Sequence, residues 1–590
     1  MADDDVSWMK ETVEDKPSAW THEKKVTIKA SRDPEKVQLR ETNKRLKTIY
    51  EESGLTYGED VKERDLPERL RTAMALRKKS IAAVFQSIKN AQNVELCFLV
   101  DVTGSMQRHI DEVRNSISQI VNSLKTASVM PQQQKTAKQL RCSFVAYRDH
   151  NDSKQFEILQ FTESVETFRT FCAGLRADGG GDTPEDVFGG IEKALELPWS
   201  PNFGTKVIFH IADAPCHGKK YHNCDDSYPS GDPKGRTEAD LFKRINENGI
   251  DYYFGKINNS TDKMIKIFEG VYNQEITKFD IKNVTAITES VISAVSTSVL
   301  SGISKSTMVG VASRVKRSYT LIKDIPNWSL IPKKEGRFLN YEMPESIEDI
   351  VNDVPLQRKH PKKAIVQLAE NPFAHGAERF AFYGRDVTYP EIENIVLKEY
   401  LHIGPGMNSA ARYETTNQIQ TVGSFFAKEF SKKLESVSKK HCVIKFLKIK
   451  TLSLHISGKE YRFMSCEKQY SAENEFIRFT NNTDYGMLEE TARKKGIDVD
   501  FVKILMAFSH WTYQASKKQL MVVDLQGIIN HYDGKTTVVL TDPAIHCTDN
   551  TRFGRMNLGE RGMENFFSRH QCNQFCKLLG LTDVCVKADD

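Results

Sequence analysis

The chain has 590 residues, 39% hydrophobic and 27% charged, and its 83 Lys and Arg against 79 Asp and Glu leave a net charge of +4. At roughly 100–200 residues per domain that length makes about three to five folding units. Disorder of the whole chain, collagen-like repeats and a coiled-coil rod are excluded, as is any global charge argument for a nucleic-acid or anionic-membrane partner.

Residues 1–60 are charged and lack apolar periodicity, which predicts a mobile arm. The acidic opening MADDDVSWMKETVEDK has no apolar core of the secretory kind. In 61–92, Leu66, Leu70, Met74, Ile81, Phe85 and Ile88 recur at helical spacing behind Asp65, a candidate cap. From 93 to 305 apolar strands alternate with amphipathic helices. VELCFLVD (94–101), CSFVAYRDH (142–150), TKVIFHIADA (205–214) and IDYYFGKI (250–257) read as strands. Helices are expected over 106–124, 164–175, 187–197, 239–248 and 283–301. Such alternation predicts a mostly parallel, doubly wound sheet whose ligands bind at strand C-terminal ends. The most apolar stretch, 287–303, is rich in Ser and Thr, and no stretch approaches the ~20 apolar residues of a membrane span. Residues 306–364 carry Pro326, Pro332, Pro344, Pro355 and Pro361 and read as a linker or the outer wrapping of a domain, rather than core. From 365 to 585 longer alternating strands predict a separate α+β unit. Eleven cysteines, sparse and odd in number, do not make a disulfide scaffold and favour a reducing, cytoplasmic location.

The first chemical site lies where strand 94–101 meets the next helix. Asp101, Thr103 and Ser105 alternate through a tight turn at Gly104. Hard oxygens presented this way suit Mg²⁺ or Mn²⁺. Two further loops can complete the set, one carrying Asp182, Thr183, Glu185 and Asp186, the other Asp213. Such residues are ordinarily caps and turn formers, and it is their joint placement at strand ends that points to a cation. Residues 93–305 resemble a von Willebrand factor A domain, with DVTGSM in the place of its metal-ion-dependent adhesion motif. The resemblance implies a Mg²⁺ or Mn²⁺ held by Asp101, Thr103, Ser105, Thr183 and Asp213, with one position open to a carboxylate of a protein partner.

The second site lies near the C-terminus. His570, Cys572 and Cys576 form an HxCxxxC spacing suited to tetrahedral Zn²⁺, with His510, His546 or Cys547 available as the fourth ligand. Upstream, Asp524 and Gln526 stand at the end of the apolar strand LMVVD, Asp542 lies in a turn, and Gly554, Asn557, Gly559 and Gly562 space a glycine-rich loop. FAHGAERFAFYG, VLKEY, TVGSFFAKEFSKKL, SCEKQ, FSHWTY, DLQG, LTDP, NLGERGM and HQCNQFC, in that order over 365–582, resemble the α-kinase family of atypical protein kinases, which includes myosin heavy chain kinase and elongation factor 2 kinase.

That resemblance implies roles. Lys398 and Arg379 contact ATP phosphates, and Glu467 lies at the adenine-binding hinge. Asp524 positions or deprotonates the acceptor hydroxyl. Gln526 and Asp542 hold Mg²⁺, with the division between Asp524 and Asp542 left open. His510, His570, Cys572 and Cys576 bind a structural Zn²⁺, and the glycine-rich loop lies near the substrate cleft. Two features depart from the pattern: Met556 stands where relatives carry glycine, and the interval between Gly527 and Thr541 is long. The expected architecture is an α/β doubly wound von Willebrand A domain followed by a two-lobed α+β kinase domain with structural zinc. The implied function is ATP-dependent phosphorylation of Ser/Thr in proteins such as myosin heavy chain, with autophosphorylation in the Ser/Thr-rich stretch 289–307. The von Willebrand A domain would recruit the kinase to a protein partner, through which any membrane or cytoskeletal association would run.

Overall fold

The computed structural model describes residues 34–584 except 59–62, 126–135, 273–275, 307–314, 404–408, 458–459, 471–474, 484–485, 533–534 and residues 318, 377, 439 and 488. It divides into two compact units, one of residues 84–306 and one joining residues up to 83 with those from 307 onward.

The N-terminal residues correct the first expectation. Over 34–52 the chain is a helix, α1 (Pro34–Glu52), rather than a mobile arm, and residues 1–33 lie outside the described part. Its only dense apolar stripe, Leu46, Ile49 and Tyr50, is buried against Tyr57 and Ala73, the latter on α2 (Leu66–Ala91). The rest of its hold is electrostatic, to residues hundreds of positions away, which no local period reveals.

The second unit opens with β1 (Asn93–Asp101), buried at every residue after Asn93. Then follow α3 (Gln107–Lys125), β2 (Gln139–Tyr147), β3 (Phe156–Thr162), α4 (Val165–Gly174), α5 (Val187–Leu195), β4 (Thr205–Ala212), α6 (Glu238–Glu247), β5 (Ile250–Lys256), α7 (Asp262–Tyr272), β6 (Lys278–Asp280) and α8 (Ala286–Ser306). The six strands run in the order β3-β2-β1-β4-β5-β6. All neighbours are parallel except β2 and β3. The order reverses beside β1, so β1 and β4 open a crevice at their C-terminal ends. Helix α3 covers one face through Ile110, Val113, Ile117, Ile120 and Leu124, an i, i+3, i+7 stripe. The strand β3 and helix α7 are additions to the sequence reading. Helix α8 has a window apolar enough to span a bilayer by length and composition, yet 53% of that window is buried within the protein. Thr288, Ser290 and Ser298 on it are buried, and Ser298 meets the Tyr253 hydroxyl at 2.9 Å. Those three hydroxyls are therefore not available for modification in this fold, and residue 307 lies outside the described residues.

The other unit continues with β7 (Val315–Lys316), β8 (Lys333–Leu339), α9 (Ile347–Val351), β9 (Lys362–Leu368), β10 (Ala374–His375), β11 (Arg379–Asp386), β12 (Glu393–Tyr400), β13 (His402–Ile403), α10 (Ala410–Val437), β14 (Cys442–Phe446), β15 (Ile449–Ser457) and β16 (Glu460–Lys468). Residues 306–364 are thus no mere linker. Strand β8 pairs with β15, and β9 with both β8 and β11, so six strands close into a curled sheet. The prolines flank these strands, while Phe338 is buried with Val366, Phe382 and Leu397 in the core beneath.

A second lobe contains β17 (Ile477–Arg478), α11 (Glu489–Lys494), α12 (Val499–Ala515), β18 (Leu520–Val523), β19 (Gln526–Tyr532), β20 (Lys535–Thr541), β21 (Ala544–Cys547), α13 (Gly559–Phe567) and α14 (Gln574–Leu578). Its core packs Phe426 and Phe430 of α10 on Leu505 and Phe508 of α12 and on Leu520 and Val522 of β18. Burying each such side chain stabilises by roughly 1.5–3 kcal/mol.

Candidate active site and metal centres

Between the two lobes, β11, β12, β16 and the turn after β20 bring four charged groups together. Register sets Lys398 of β12 opposite Ala381 of β11 and Ser465 of β16, and strand alternation puts its side chain on the face away from the core residue Leu397. Its Nζ lies 2.7 Å from Asp542 Oδ2 and ion-pairs with Glu467. Arg379 Nη2 is 2.6 Å from Asp542 Oδ1. The Thr541 hydroxyl donates to Glu467 Oε2 at 2.6 Å. The Glu467 carboxylate is thus the partner of Lys398 and Thr541, which differs from the hinge role expected of its side chain.

The long interval between Gly527 and Thr541 is absorbed by the β19–β20 hairpin. Its register pairs Gln526 with Thr541, so the added length extends away from the site and leaves Asp542 beside Gln526. Gln526 Nε2 reaches the Asp542 carbonyl at 3.5 Å, and its Oε1 accepts from Arg478 Nη2 at 2.9 Å. Gln420 of α10 accepts the Asp542 N–H at 3.1 Å and fixes the turn.

The two aspartates sit in opposite electrostatic environments. Burial alone would raise Asp542, but Arg379 and Lys398 hold its carboxyl well below the usual range. Asp524 is also buried; Arg478 is no nearer than 3.7 Å, and burial pushes its carboxyl up to about 7. Its Oδ1 has no hydrogen-bond partner among the described residues. Both residues have positive φ, 58° at Asp524 and 53° at Asp542. A non-glycine residue keeps such a conformation only when its surroundings impose it, and such residues concentrate at functional sites. One carboxylate is therefore clamped between two cations, while the other has only the longer ion pair with Arg478.

The glycine-rich segment is a loop only as far as Leu558, since Gly559 and Gly562 belong to α13. Gly559 has φ +65°, and a side chain there would strike Asn550. Asn557 does not face the cleft. It is buried, its Oδ1 accepts the Cys547 and Gly559 N–H groups, and its Nδ2 donates to the Asp549 and Arg552 carbonyls. Sequence reasoning set His546 aside, yet it bridges this loop to the lobe. Its Nδ1 accepts the Leu558 N–H at 3.1 Å, and its Nε2 meets the Asn482 carbonyl at 2.8 Å. No spacing signal marks it; only the fold brings these segments together.

His510, His570, Cys572 and Cys576 converge, with all four ligand atoms within 4.8 Å of one another. His510 Nδ1 lies 3.2 Å from His570 Nε2 and 3.5 Å from Cys572 Sγ, and Cys576 Sγ lies 3.5 Å from His570 Nε2. Tetrahedral zinc, with bonds of about 2.0–2.3 Å, sets its ligand atoms about 3.3–3.8 Å apart, so the donor set fits Zn²⁺. Burial lowers His570 to about 4 and keeps its ring neutral, as a ligand must be. His546 and Cys547 are engaged elsewhere.

In the other unit, Asp101 Oδ1 accepts both the backbone N–H and the hydroxyl of Thr103, at 2.9 and 2.7 Å, while Ser105 Oγ donates to Asp213 Oδ2 at 2.6 Å. Thr183 is exposed on the adjoining loop. Asp101 Oδ2, Asp182 Oδ1 and Glu185 Oε2 have no hydrogen-bond partner among the described residues despite being buried atoms. Burial together with Asp101 and Asp149 pushes Glu185 up to about 10. Buried, unneutralised oxygens of this kind fit a hard divalent cation.

Beside them His217 bridges two carboxylates, Nε2 to Asp149 and Nδ1 to Asp226, each at 2.7 Å. Burial opposes its charge, but the two aspartates raise its pKa on balance, while Asp149 and Asp226 are lowered. A raised histidine contributes stability that is full below about pH 6.5 and lost as pH rises through the folded value. The lowered aspartates contribute above about pH 4 and lose their share on acidification through their own folded values. In thermal melting against pH, His217→Gln is thus expected to lessen the loss of stability above about pH 6.5 without abolishing it, because the raised Glu185 carboxyl also loses its share as pH rises.

Residues 374–576 match the α-kinase family and residues 95–224 the von Willebrand factor A domain. The chain is 34% identical over 526 residues to alpha-protein kinase vwkA of Dictyostelium discoideum, covering 86% of this chain and 79% of that one. It is 26% identical over 230 residues to myosin heavy chain kinase B of the same organism, covering 38% of this chain and 27% of that one. Among solved structures, the α-kinase domain of myosin heavy chain kinase A with ADP matches at 24% identity and TM-score 0.33, covering 43% of this chain and 98% of that one. An α-kinase from Entamoeba histolytica matches at 23% identity and TM-score 0.35, covering 44% and 94%. The chain belongs to the α-kinase family, as a protein kinase that uses ATP and a divalent metal and carries a von Willebrand factor A domain.

Proposed function

We propose that the chain transfers the γ-phosphoryl group of ATP to serine and threonine hydroxyls of protein substrates, itself included, in the cytoplasm. The observation that carries this reading is the convergence of Lys398, Arg379, Glu467 and Asp542 beside Asp524. Phosphoryl transfer needs positioning and charge neutralisation more than covalent chemistry. Lys398, held upright by Glu467, and Arg379 bind the phosphates. Gln526 and Asp542 hold Mg²⁺, which supplies further neutralisation of the phosphate charge. Asp524, the less neutralised carboxylate, orients the acceptor hydroxyl and receives its proton. The loop 554–558 borders the substrate. His510, His570, Cys572 and Cys576 hold a Zn²⁺ that ties α12 to the C-terminal segment. Relatives named for myosin heavy chain make helical myosin tails the first substrates to try.

In the von Willebrand A unit Asp101, Thr103, Ser105, Thr183 and Asp213 would hold Mg²⁺ or Mn²⁺, and the unit would recruit the kinase through a partner's carboxylate. Phosphoamino-acid analysis of protein labelled by the purified chain tests the reaction. Phosphoserine or phosphothreonine is expected, reduced at least about 100-fold by Lys398→Met, which removes a charge that contacts the transferring group. Label retained by that variant, or found on free phosphate only, would overturn the reading.

A further inference from the structure

We propose that the N-terminal helical hairpin α1–α2 is a working part of the kinase, and that Glu52 at the end of α1 is a positioning residue for the glycine-rich loop. The inference rests on the placement of that loop at the substrate cleft proposed above. Two arginines are linked to the hairpin, Arg555 in the loop directly and Arg552 just ahead of it through Asp353. Arg555 Nε lies 3.8 Å from Glu52 Oε2, and Arg77 of α2 lies 3.5 Å from the same oxygen. All three side chains are at most 7% exposed, so the attraction acts with little solvent screening. Arg552 pairs with Asp353 at 2.9 Å, and Asp353 in turn holds Arg45 of α1 at 2.7 Å. Lys44 of α1 adds a third tie, to Glu414 of α10 at 3.2 Å.

Neither Glu52 nor Arg45 is near the phosphate-binding cluster by sequence or by any contact described above. Their effect must run through the loop. Arg555 lies between Gly554, which has φ +68°, and Met556, which occupies the position where glycine would leave the loop free. An otherwise compliant segment is thereby held to α1 at Arg555 directly and at the preceding Arg552 through Asp353.

The test uses the full chain as Glu52→Gln, Arg555→Gln and the double variant, with Glu68→Gln, an exposed residue of α2, as control. Myelin basic protein is the probe. Glu52→Gln is expected to raise its KM about fivefold while the KM for ATP stays put, as for loss of one coupled buried pair. The double variant should be no worse than the weaker single. Amide exchange over 551–558 should quicken in Glu52→Gln and not in Glu68→Gln. Additive losses, unchanged exchange, or a fall in kcat and melting temperature with KM unmoved would overturn the proposal. If the unmodified chain labels no protein, the kinase reading falls, and the exchange measurement still decides whether Glu52 holds the loop.

Discussion

Zinc removal is expected to unfold the lobe that carries Asp524. The cluster ties His510, in the middle of α12, to His570 and Cys572 in the segment after α13 and to Cys576 of α14. His510 and Cys576 are fully buried, and α12 forms the floor of the second-lobe core with Phe508 and Leu505. Structural zinc contributes about 10 kcal/mol or more of apparent binding free energy, which is comparable to the whole stability of a domain. Elemental analysis should give one zinc per chain. A strong chelator, or Cys576→Ser, should abolish the cooperative melt of this lobe and all kinase activity. Cys466→Ser, equally buried but remote from the cluster, should retain both, at a cost of about 1 kcal/mol. A chain that melts unchanged without zinc would contradict the assignment.

The second large effect is at Asp524. Asparagine tolerates the positive φ at this position better than most residues, and the replacement removes a buried carboxylate whose Oδ1 lacks a hydrogen-bond donor. Asp524→Asn should therefore lose about a thousandfold or more in phosphate transfer, as expected for removal of a positioned base. Its melting temperature should hold or rise. Asp542→Asn should behave differently, because it strips Lys398 and Arg379 of their shared anion. Breaking a buried ion pair on one side costs about 3–5 kcal/mol, so that variant should lose both stability and activity. Similar melting curves for the two variants would mean that the environments of the aspartates have been misassigned.

Some of this was legible before the structure. DVTGSM reads clearly because a fully apolar strand ends in a carboxylate and passes through a glycine into a helix. The kinase motifs read because they recur in one order. Other features were hidden for physical reasons. Helix α1 presents only Leu46, Ile49 and Tyr50 to a core, and its remaining ties, such as Lys44 to Glu414, cross 370 positions. Strands β8 and β9 are flanked by Pro332 and Pro361 and begin with lysine pairs, so no apolar run marks them, and their pairing partners lie far along the chain. Spacing could not choose His510 as the fourth member of the proposed zinc cluster, since α12 and the HxCxxxC segment meet only through packing. His546 carries no motif, and its importance lies in a backbone N–H and a carbonyl from distant segments. Asn557 shows the converse: a motif position whose side chain shapes the loop from beneath instead of meeting substrate.

The most direct test of the account is transfer of radiolabelled phosphate from ATP to myelin basic protein and to myosin heavy chain tails by the full chain, with Mg²⁺ present and zinc bound, beside Asp524→Asn. Label is expected on protein from the unmodified chain and almost none from the variant, with both equally folded. Equal labelling by the two, or none by a folded, zinc-loaded chain, would contradict it.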